Sequence, residues 1–266
     1  MPVAEPVVAT AYWIAAARAR ESSRPDRLFD DPFAAELAGE RGREMLRSTE
    51  RGFGRPSDFI PVRTRFFDDL LVDWVVDRPG PAQVVLLGAG LDTRAFRLPL
   101  HGAHVVEVDD AALLAAKDAV LDRLGARPRA TRTVLGADVL DAVRLVDADV
   151  RTLWLAEGLL LYLGAPEVDE LLRRTAAPGN RFAADVMGTG LLRQPQLRTA
   201  RERRAELGLP PPFTADRPAE VFAAAGWPSV RVENPDAVQR RYGRPAPVRS
   251  PAADSTIRSC LVVADG

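Results

Sequence analysis

The chain has 266 residues, 47% of them apolar and 27% charged, which suits one α/β domain with additions or two small domains and excludes disorder as its main state. Lys+Arg 36 against Asp+Glu 37 leaves a net charge of -1, so neither nucleic acid nor an acidic membrane is an expected partner. One cysteine (Cys260) and two histidines (His101 and His104) exclude a disulfide scaffold and a His- or thiolate-rich metal centre; the M-P-V-A-E-P start and the lack of a long apolar run imply a cytoplasmic protein.

Up to Pro79-Gly80-Pro81 the pattern is helical. Thr10 is placed to cap A-Y-W-I-A-A-A-R-A-R, and Phe59/Ile60, Arg63, Phe66/Phe67, Leu70/Leu71 and Trp74/Val75 recur at helical spacing. This predicts an N-terminal helical lid over residues 1–80 and a Rossmann-like core over 81–266. Apolar runs of strand length follow at 83–87, 103–108, 131–136, 152–156 and 181–186, with helices predicted over Ala111–Leu124 and Glu167–Ala176, the latter opened by Pro166. Leu191–Leu207 reads as a helix within an insertion at 190–215, ending at Gly208. A helix over Pro218–Ala225, a strand over Ser229–Val232, a Pro-rich stretch from Pro235 to Pro251 and a last strand over Thr256–Val263 complete the chain. Strands alternating with helices specify a doubly wound α/β sheet of seven strands, mostly parallel, that binds ligands at the carboxyl ends of its strands.

The first strand runs into Gly88-Ala89-Gly90-Leu91-Asp92-Thr93-Arg94, and Asp109 stands 21 positions after Gly88, at the end of the second strand. Two glycines let the backbone turn sharply and let a ligand approach it, while a carboxylate at that distance can accept hydrogen bonds from both hydroxyls of a ribose. The pair points to a nucleoside cofactor. A dinucleotide would want a third glycine at position 93, which is Thr93, so the nicotinamide reading weakens. S-adenosyl-L-methionine carries no phosphate and removes that need.

The string L-G-A-G-L-D-T-R-A-F-R-L, then E-V-D with Lys117 eight residues on, then A-E-G-L-L-L-Y-L, resembles the leucine carboxyl methyltransferase family. The resemblance is to its bacterial small-molecule branch, which includes polyketide O-methyltransferases of secondary metabolism. T-A-Y-W-I-A-A-A-R-A-R-E, D-D-P-F-A and R-T-R-F-F-D-D match that branch as well, and the likeness spans about residues 10–190. It implies a class I S-adenosylmethionine-dependent methyltransferase. By the same likeness the cofactor carboxylate is held by an arginine 25 positions before Gly88, which is Arg63, and by a basic residue in the N-terminal helical part, Arg18. Each of these also reads as a solvated helix face. Asp138 is implied at the adenine amino group, with the Val139 N–H at the ring; Asp138 equally suits a helix N-cap. Glu157 is implied at the cofactor near the methyl donor, and Tyr162 near the substrate, with core packing the other reading of Tyr162. His101 and His104 are expected at the surface or sheet edge, and Cys260 in the core of the last strand. The expected reaction is O-methylation, forming an ester on a carboxylate of a small-molecule acceptor. Methylation of a phenol or enol, a cofactor-binding descendant without transfer, and a nicotinamide-dependent oxidoreductase are the alternatives.

Overall fold

A computed structural model of the chain describes residues 5–53, 58–76, 81–147, 149–194, 198–206, 211–246 and 259–266. Two compact units emerge, Met1–Leu153 and Trp154–Gly266.

The first unit opens with three helices, α1 (Glu5–Ser22), α2 (Ala34–Phe53) and α3 (Phe59–Val76). In α3 the spacing read from the sequence holds: Ile60, Phe66, Phe67, Leu70, Leu71 and Trp74 are buried along one stripe. Thr10, by contrast, does not cap α1. The helix starts at Glu5, with Pro6 in its first turn, where the missing N–H would have no intrahelical acceptor anyway. The sequence pattern does not announce α2, because Gly39 breaks it at φ 55°, ψ −165°, and the helical phase is lost there. Gly42 then lets α2 lie against α1: a Cβ at that position would stand 2.4 Å from the Tyr12 carbonyl oxygen.

Strand and helix then alternate through β1 (Ala82–Leu87), α4 (Arg94–Arg97), β2 (Ala103–Asp109), α5 (Ala111–Arg123), β3 (Thr131–Gly136) and α6 (Val139–Ala142), followed by a 3-10 turn at Val143–Leu145. The pairings β1–β2 and β2–β3 are parallel, with Val84 opposite Val105 and Val106 opposite Thr133. Every residue of β1 is buried, as a strand covered on both faces requires, whereas β3 is only half-buried, as suits a sheet edge. Asp110 caps α5, accepting from the N–H groups of Ala112 and Leu113.

Beyond β4 (Thr152–Ala156), the second unit carries a 3-10 turn at Leu160–Tyr162, α7 (Ala165–Thr175), β5 (Arg181–Met187), α8 (Thr189–Leu192), α9 (Arg198–Glu206), α10 (Pro218–Ala224), β6 (Ser229–Glu233), α11 (Pro235–Arg241) and β7 (Ser259–Asp265). Phe182 meets Phe222 and Trp227 edge to face at 5.8 and 5.9 Å, and the Trp227 indole N–H donates to the Leu172 carbonyl at 3.1 Å. Such rings supply much of a unit's apolar burial, about 1.5–3 kcal/mol for each large side chain.

The single sheet has seven strands in the order β3-β2-β1-β4-β5-β7-β6, the doubly wound α/β architecture expected, with β7 antiparallel to both β5 and β6. Three expectations change in the second unit. The single helix expected over Leu191–Leu207 is replaced by α8 and α9, with a turn at Arg193-Gln194 between them; 195–197 and the expected stop at Gly208 lie outside the described residues. The Pro-rich stretch contains a helix, because Asn234 caps it by accepting from the Asp236 N–H and Pro235 sits at its first position. Cys260 is half-buried opposite Val186 rather than enclosed in the core. Residues 79–80 and 256–258, part of the expected boundary and of the expected last strand, are likewise outside the described residues.

Candidate cofactor site

The turn after β1 is built by backbone geometry. Gly88 and Gly90 have φ of 65° and 48°, values that side chains with a Cβ rarely adopt. A Cβ on Gly90 would stand 3.3 Å from Ala11 Cβ and 3.9 Å from Asp109 Oδ2, so the glycine keeps open the space beside the carboxylate. The Ala89 N–H donates to the Val108 carbonyl at 2.9 Å, and the Gly90 N–H to Asp109 Oδ2 at 2.7 Å. Asp109 Oδ1 accepts from the Asp110 N–H at 2.6 Å. Each carboxylate oxygen thus uses one acceptor position on the backbone and retains capacity for a further donor, the arrangement a ribose diol requires. Burial pushes the Asp109 carboxyl above its ordinary value, against the pull of the Asp110 and Gly90 N–H groups and the Lys117 charge.

Around this turn the first unit buries a set of ion pairs. Asp31 accepts from Arg18 Nε at 2.9 Å and from the Thr93 hydroxyl at 2.8 Å. Asp68 on α3 accepts from Arg94 Nε at 2.7 Å and from Arg97 Nη1 and Nη2 at 2.6 and 2.7 Å. Asp92 pairs with Arg94 through both its side-chain oxygens, taking the Arg94 N–H at 2.6 Å on one of them. Burial alone would raise the Asp92 pKa; the charges of Arg94, Arg18 and Arg97, with the Arg94 N–H, outweigh it and hold the group at about 2.

A carboxyl depressed from 3.8 to about 2 favours the folded state fully above pH 4, and that contribution disappears as pH falls through 2. Asp92→Asn is therefore expected to lower stability by on the order of 2 kcal/mol at pH 7. The gap to wild type should close between pH 4 and 2 in urea denaturation, and a gap independent of pH would show that Asp92 acts through shape rather than charge.

The residues expected at a cofactor site fall as follows. Arg18, 6% exposed, is no solvated helix face: besides Asp31, its Nη2 donates to the Leu91 carbonyl at 2.6 Å. Arg63, 5% exposed, lies over the Phe59 ring at 5.5 Å, and the carbonyl of its neighbour Thr64 accepts from Arg94 Nη2 at 3.3 Å. Asp138 is exposed and caps α6 through the Leu140 N–H at 2.9 Å, while Val139 is buried. His104, the second residue of β2, is half-buried with Nε2 2.8 Å from the Thr133 hydroxyl; His101 is exposed in the turn before β2.

In the second unit Glu157 is half-buried immediately after β4, next to Gly158, whose N–H donates to Asp185 Oδ1 at 2.6 Å. Tyr162 is half-buried rather than in the core, and its carbonyl accepts from Arg204 Nη2 on α9 at 2.9 Å. The Phe213 N–H donates to the Leu163 carbonyl and the Ala215 N–H to the Met187 carbonyl, each at 3.0 Å. The segment inserted after β5 therefore returns to the carboxyl end of β5, the edge of a doubly wound sheet where ligands are expected, and to the loop that follows the 3-10 turn at Leu160–Tyr162.

Sequence reasoning did not single out Asp31, Asp68, Arg94, Arg97 or Glu107 as parts of this arrangement. The signal for the two aspartates lay in the strings D-D-P-F-A and R-T-R-F-F-D-D, whose second and first aspartates respectively are the partners of Arg18 and of the Arg94–Arg97 pair; Arg94 and Arg97 stand in L-G-A-G-L-D-T-R-A-F-R-L and Glu107 in E-V-D. Among the described residues no group of three or more His, Cys, Asp or Glu is arranged to hold a metal ion, and no helix is long and apolar enough to cross a membrane.

Known proteins resemble this chain in sequence and in fold. A family model described as leucine carboxyl methyltransferase matches residues 11–176. A protein of Parafrankia sp., provisionally named an S-adenosyl-L-methionine-dependent methyltransferase, is 42% identical over 200 residues, covering 69% of this chain and 63% of its own length. One from Mycolicibacterium gilvum with the same provisional name is 36% identical over 270 residues, covering 91% and 90%. The chain thus spans less than two thirds of the first relative and nine tenths of the second. Among solved structures, a DUF574 family protein from Streptomyces avermitilis superposes with TM-score 0.58 at 13% identity, covering 92% of this chain and 98% of its own. A provisionally named methyltransferase from Thermobifida fusca gives 0.54 at 20% identity, covering 88% and 92%. These two structures share the fold.

Proposed function

Because the chain belongs to the leucine carboxyl methyltransferase family, we propose that it is an S-adenosyl-L-methionine-dependent O-methyltransferase that esterifies a carboxylate on a small, largely apolar metabolite. The observation that carries the reading is the open turn at Gly88–Gly90 facing a half-buried Asp109 whose oxygens each retain acceptor capacity. When bound, the cofactor supplies an electrophilic methyl group on a sulfonium. Asp109 holds the ribose hydroxyls, Arg63 the cofactor carboxylate through its guanidinium fork, and Asp138 with the Val139 N–H the adenine edge. Arg18 contributes charge from the lid and sets the turn through Leu91 and Asp31. By the family likeness Glu157 and Tyr162 would serve the reacting end, Glu157 balancing the positive charge of the methyl donor and Tyr162 orienting the acceptor. Most of the acceleration then comes from alignment, and the N-terminal helices exclude water.

Ionisation favours a carboxylate acceptor. A carboxylic acid near pKa 4 is a nucleophile at pH 7 with no proton to remove, whereas a phenol near 10 needs about 4 kcal/mol of activation from a base. The imidazoles are poorly placed for that work: His104 stands at the opposite end of β2 from Asp109, about 16 Å along the strand, and His101 precedes it.

The test is single-turnover transfer from methyl-labelled cofactor to a panel of aliphatic and aromatic acids and phenols between pH 6 and 9. A rate nearly flat with pH and a product cleaved by mild alkali are expected. A base-stable ether formed at a rate climbing tenfold per pH unit would reject the carboxyl assignment while leaving methyl transfer intact.

A further inference from the structure

Lys117 is the one lysine in the chain, among 36 basic residues, and its side chain is wholly enclosed. From α5 its Nζ donates to Glu107 Oε2 on β2 at 2.6 Å and to the Asp92 carbonyl in the glycine-rich turn at 3.2 Å. The first bond alone does not explain it. Glu107 Oε2 also accepts from Arg132 Nη2 at 2.6 Å, and Arg132 is balanced in turn by Asp118 at 2.7 Å. The buried carboxylate would keep a cationic partner without Lys117, whereas the Asp92 carbonyl would lose the cation that α5 supplies to it.

The neighbouring carbonyl, Leu91, is held by Arg18 Nη2 from α1. Two successive peptide oxygens of the turn are thus drawn onto buried cations from two different helices. Since each trans peptide is planar, fixing the Asp92 oxygen also fixes the direction of the Thr93 N–H. An ammonium suits the place better than a guanidinium: it is compact, and its three N–H vectors diverge, so one nitrogen can serve a carboxylate and a carbonyl that lie on different elements.

We propose that Lys117 is a positioning residue that couples β2 to the cofactor turn, using Glu107 to orient its ammonium and the Asp92 carbonyl to hold Gly88–Thr93 in register with Asp109. The proposal rests on the reading of that turn as the S-adenosylmethionine site.

The test uses the full chain and two readouts, S-adenosylhomocysteine affinity by calorimetry and amide hydrogen exchange of the 88–94 segment in the ligand-free protein. Lys117→Met paired with Glu107→Gln removes both charges, so no carboxylate is left unbalanced. This double variant is expected to unfold within a few degrees of wild type, to exchange faster at 88–94 and to bind about tenfold more weakly. Glu107→Gln alone, whose amide oxygen can still accept from the ammonium and so leaves it oriented onto the Asp92 carbonyl, is expected to bind within about threefold of wild type. A double variant with wild-type affinity and exchange would overturn the proposal, as would Glu107→Gln alone losing as much as the pair. Failure of the wild-type protein itself to bind S-adenosylhomocysteine would overturn the cofactor reading and the positioning role together, and it is told apart by being present before any substitution.

Discussion

Asp109→Ala is expected to weaken S-adenosylhomocysteine binding at least tenfold, and up to about a hundredfold, with little loss of stability. Two terms add in the same direction. The diol loses its acceptor, worth about 1.5–3 kcal/mol for hydrogen bonds to a charged group. The turn also loses its tether, because the same carboxylate receives the Gly90 N–H at 2.7 Å and the Asp110 N–H at 2.6 Å. Stability behaves differently because of the direction in which this carboxyl is shifted. A folded-state value above the ordinary one means that the native protein binds its proton more tightly than the unfolded chain, so the group's contribution to stability declines as pH rises through the carboxylate range. At pH 7 the ionised group is being kept buried at a cost, which offsets much of what its backbone hydrogen bonds contribute. Calorimetric titration beside thermal unfolding checks both halves, and unchanged affinity would remove Asp109 from the site.

Asp68→Ala should act in the opposite way, destabilising the fold by about 3–5 kcal/mol, the range for breaking a buried ion pair from one side. The aspartate is 3% exposed and is shared by two guanidiniums, Arg94 and Arg97, whose side chains are themselves 3% and 4% exposed. Neither arginine can be neutralised by losing a proton at any pH the protein survives, so both charges would remain in a dry setting. Arg94 would keep its pair with Asp92, but Arg97 would be left with Asp31, which stands 4.0 Å from its Nε and compensates only in part. Urea denaturation measures the loss; a change under 1 kcal/mol would mean that water reaches the cluster once the aspartate is gone.

The strands were the legible part of this molecule because a strand buried on both faces is written as an uninterrupted apolar run, and Q-V-V-L-L and T-L-W-L-A have no other plausible use. Helices depended on continuity of phase. α3 keeps its phase and was readable; α2 is interrupted at Gly39 and was not. Proline misled where its position mattered more than its presence, as at Pro235, which starts α11 instead of continuing a loop. Of the site, the turn and Asp109 were legible because adjacent elements of a β-α-β unit fix their spacing. The ion pairs were not. Arg18 and Leu91 are 73 positions apart and Thr93 and Asp31 are 62 apart, and no local period relates such partners. Only the fold that brings α1 and α3 to the turn shows which aspartate serves which arginine.

The placement of β7 has a consequence for how the second unit is made. β7 follows β6 in the chain yet lies between β5 and β6, pairing Val262 with Ala184 on one side and with Val232 on the other. During synthesis β6 therefore emerges with no strand beside it, and the edge that β7 covers stays unsatisfied until residues 259–265 leave the ribosome. β5 waits for the same segment on one flank. Completion of this half of the sheet is thus a late, long-range event, closing a separation of 84 positions between Arg181 and Asp265. Nascent chains stalled before Ser259 would present two open edges to each other, so premature termination in this region favours aggregation over a smaller folded product.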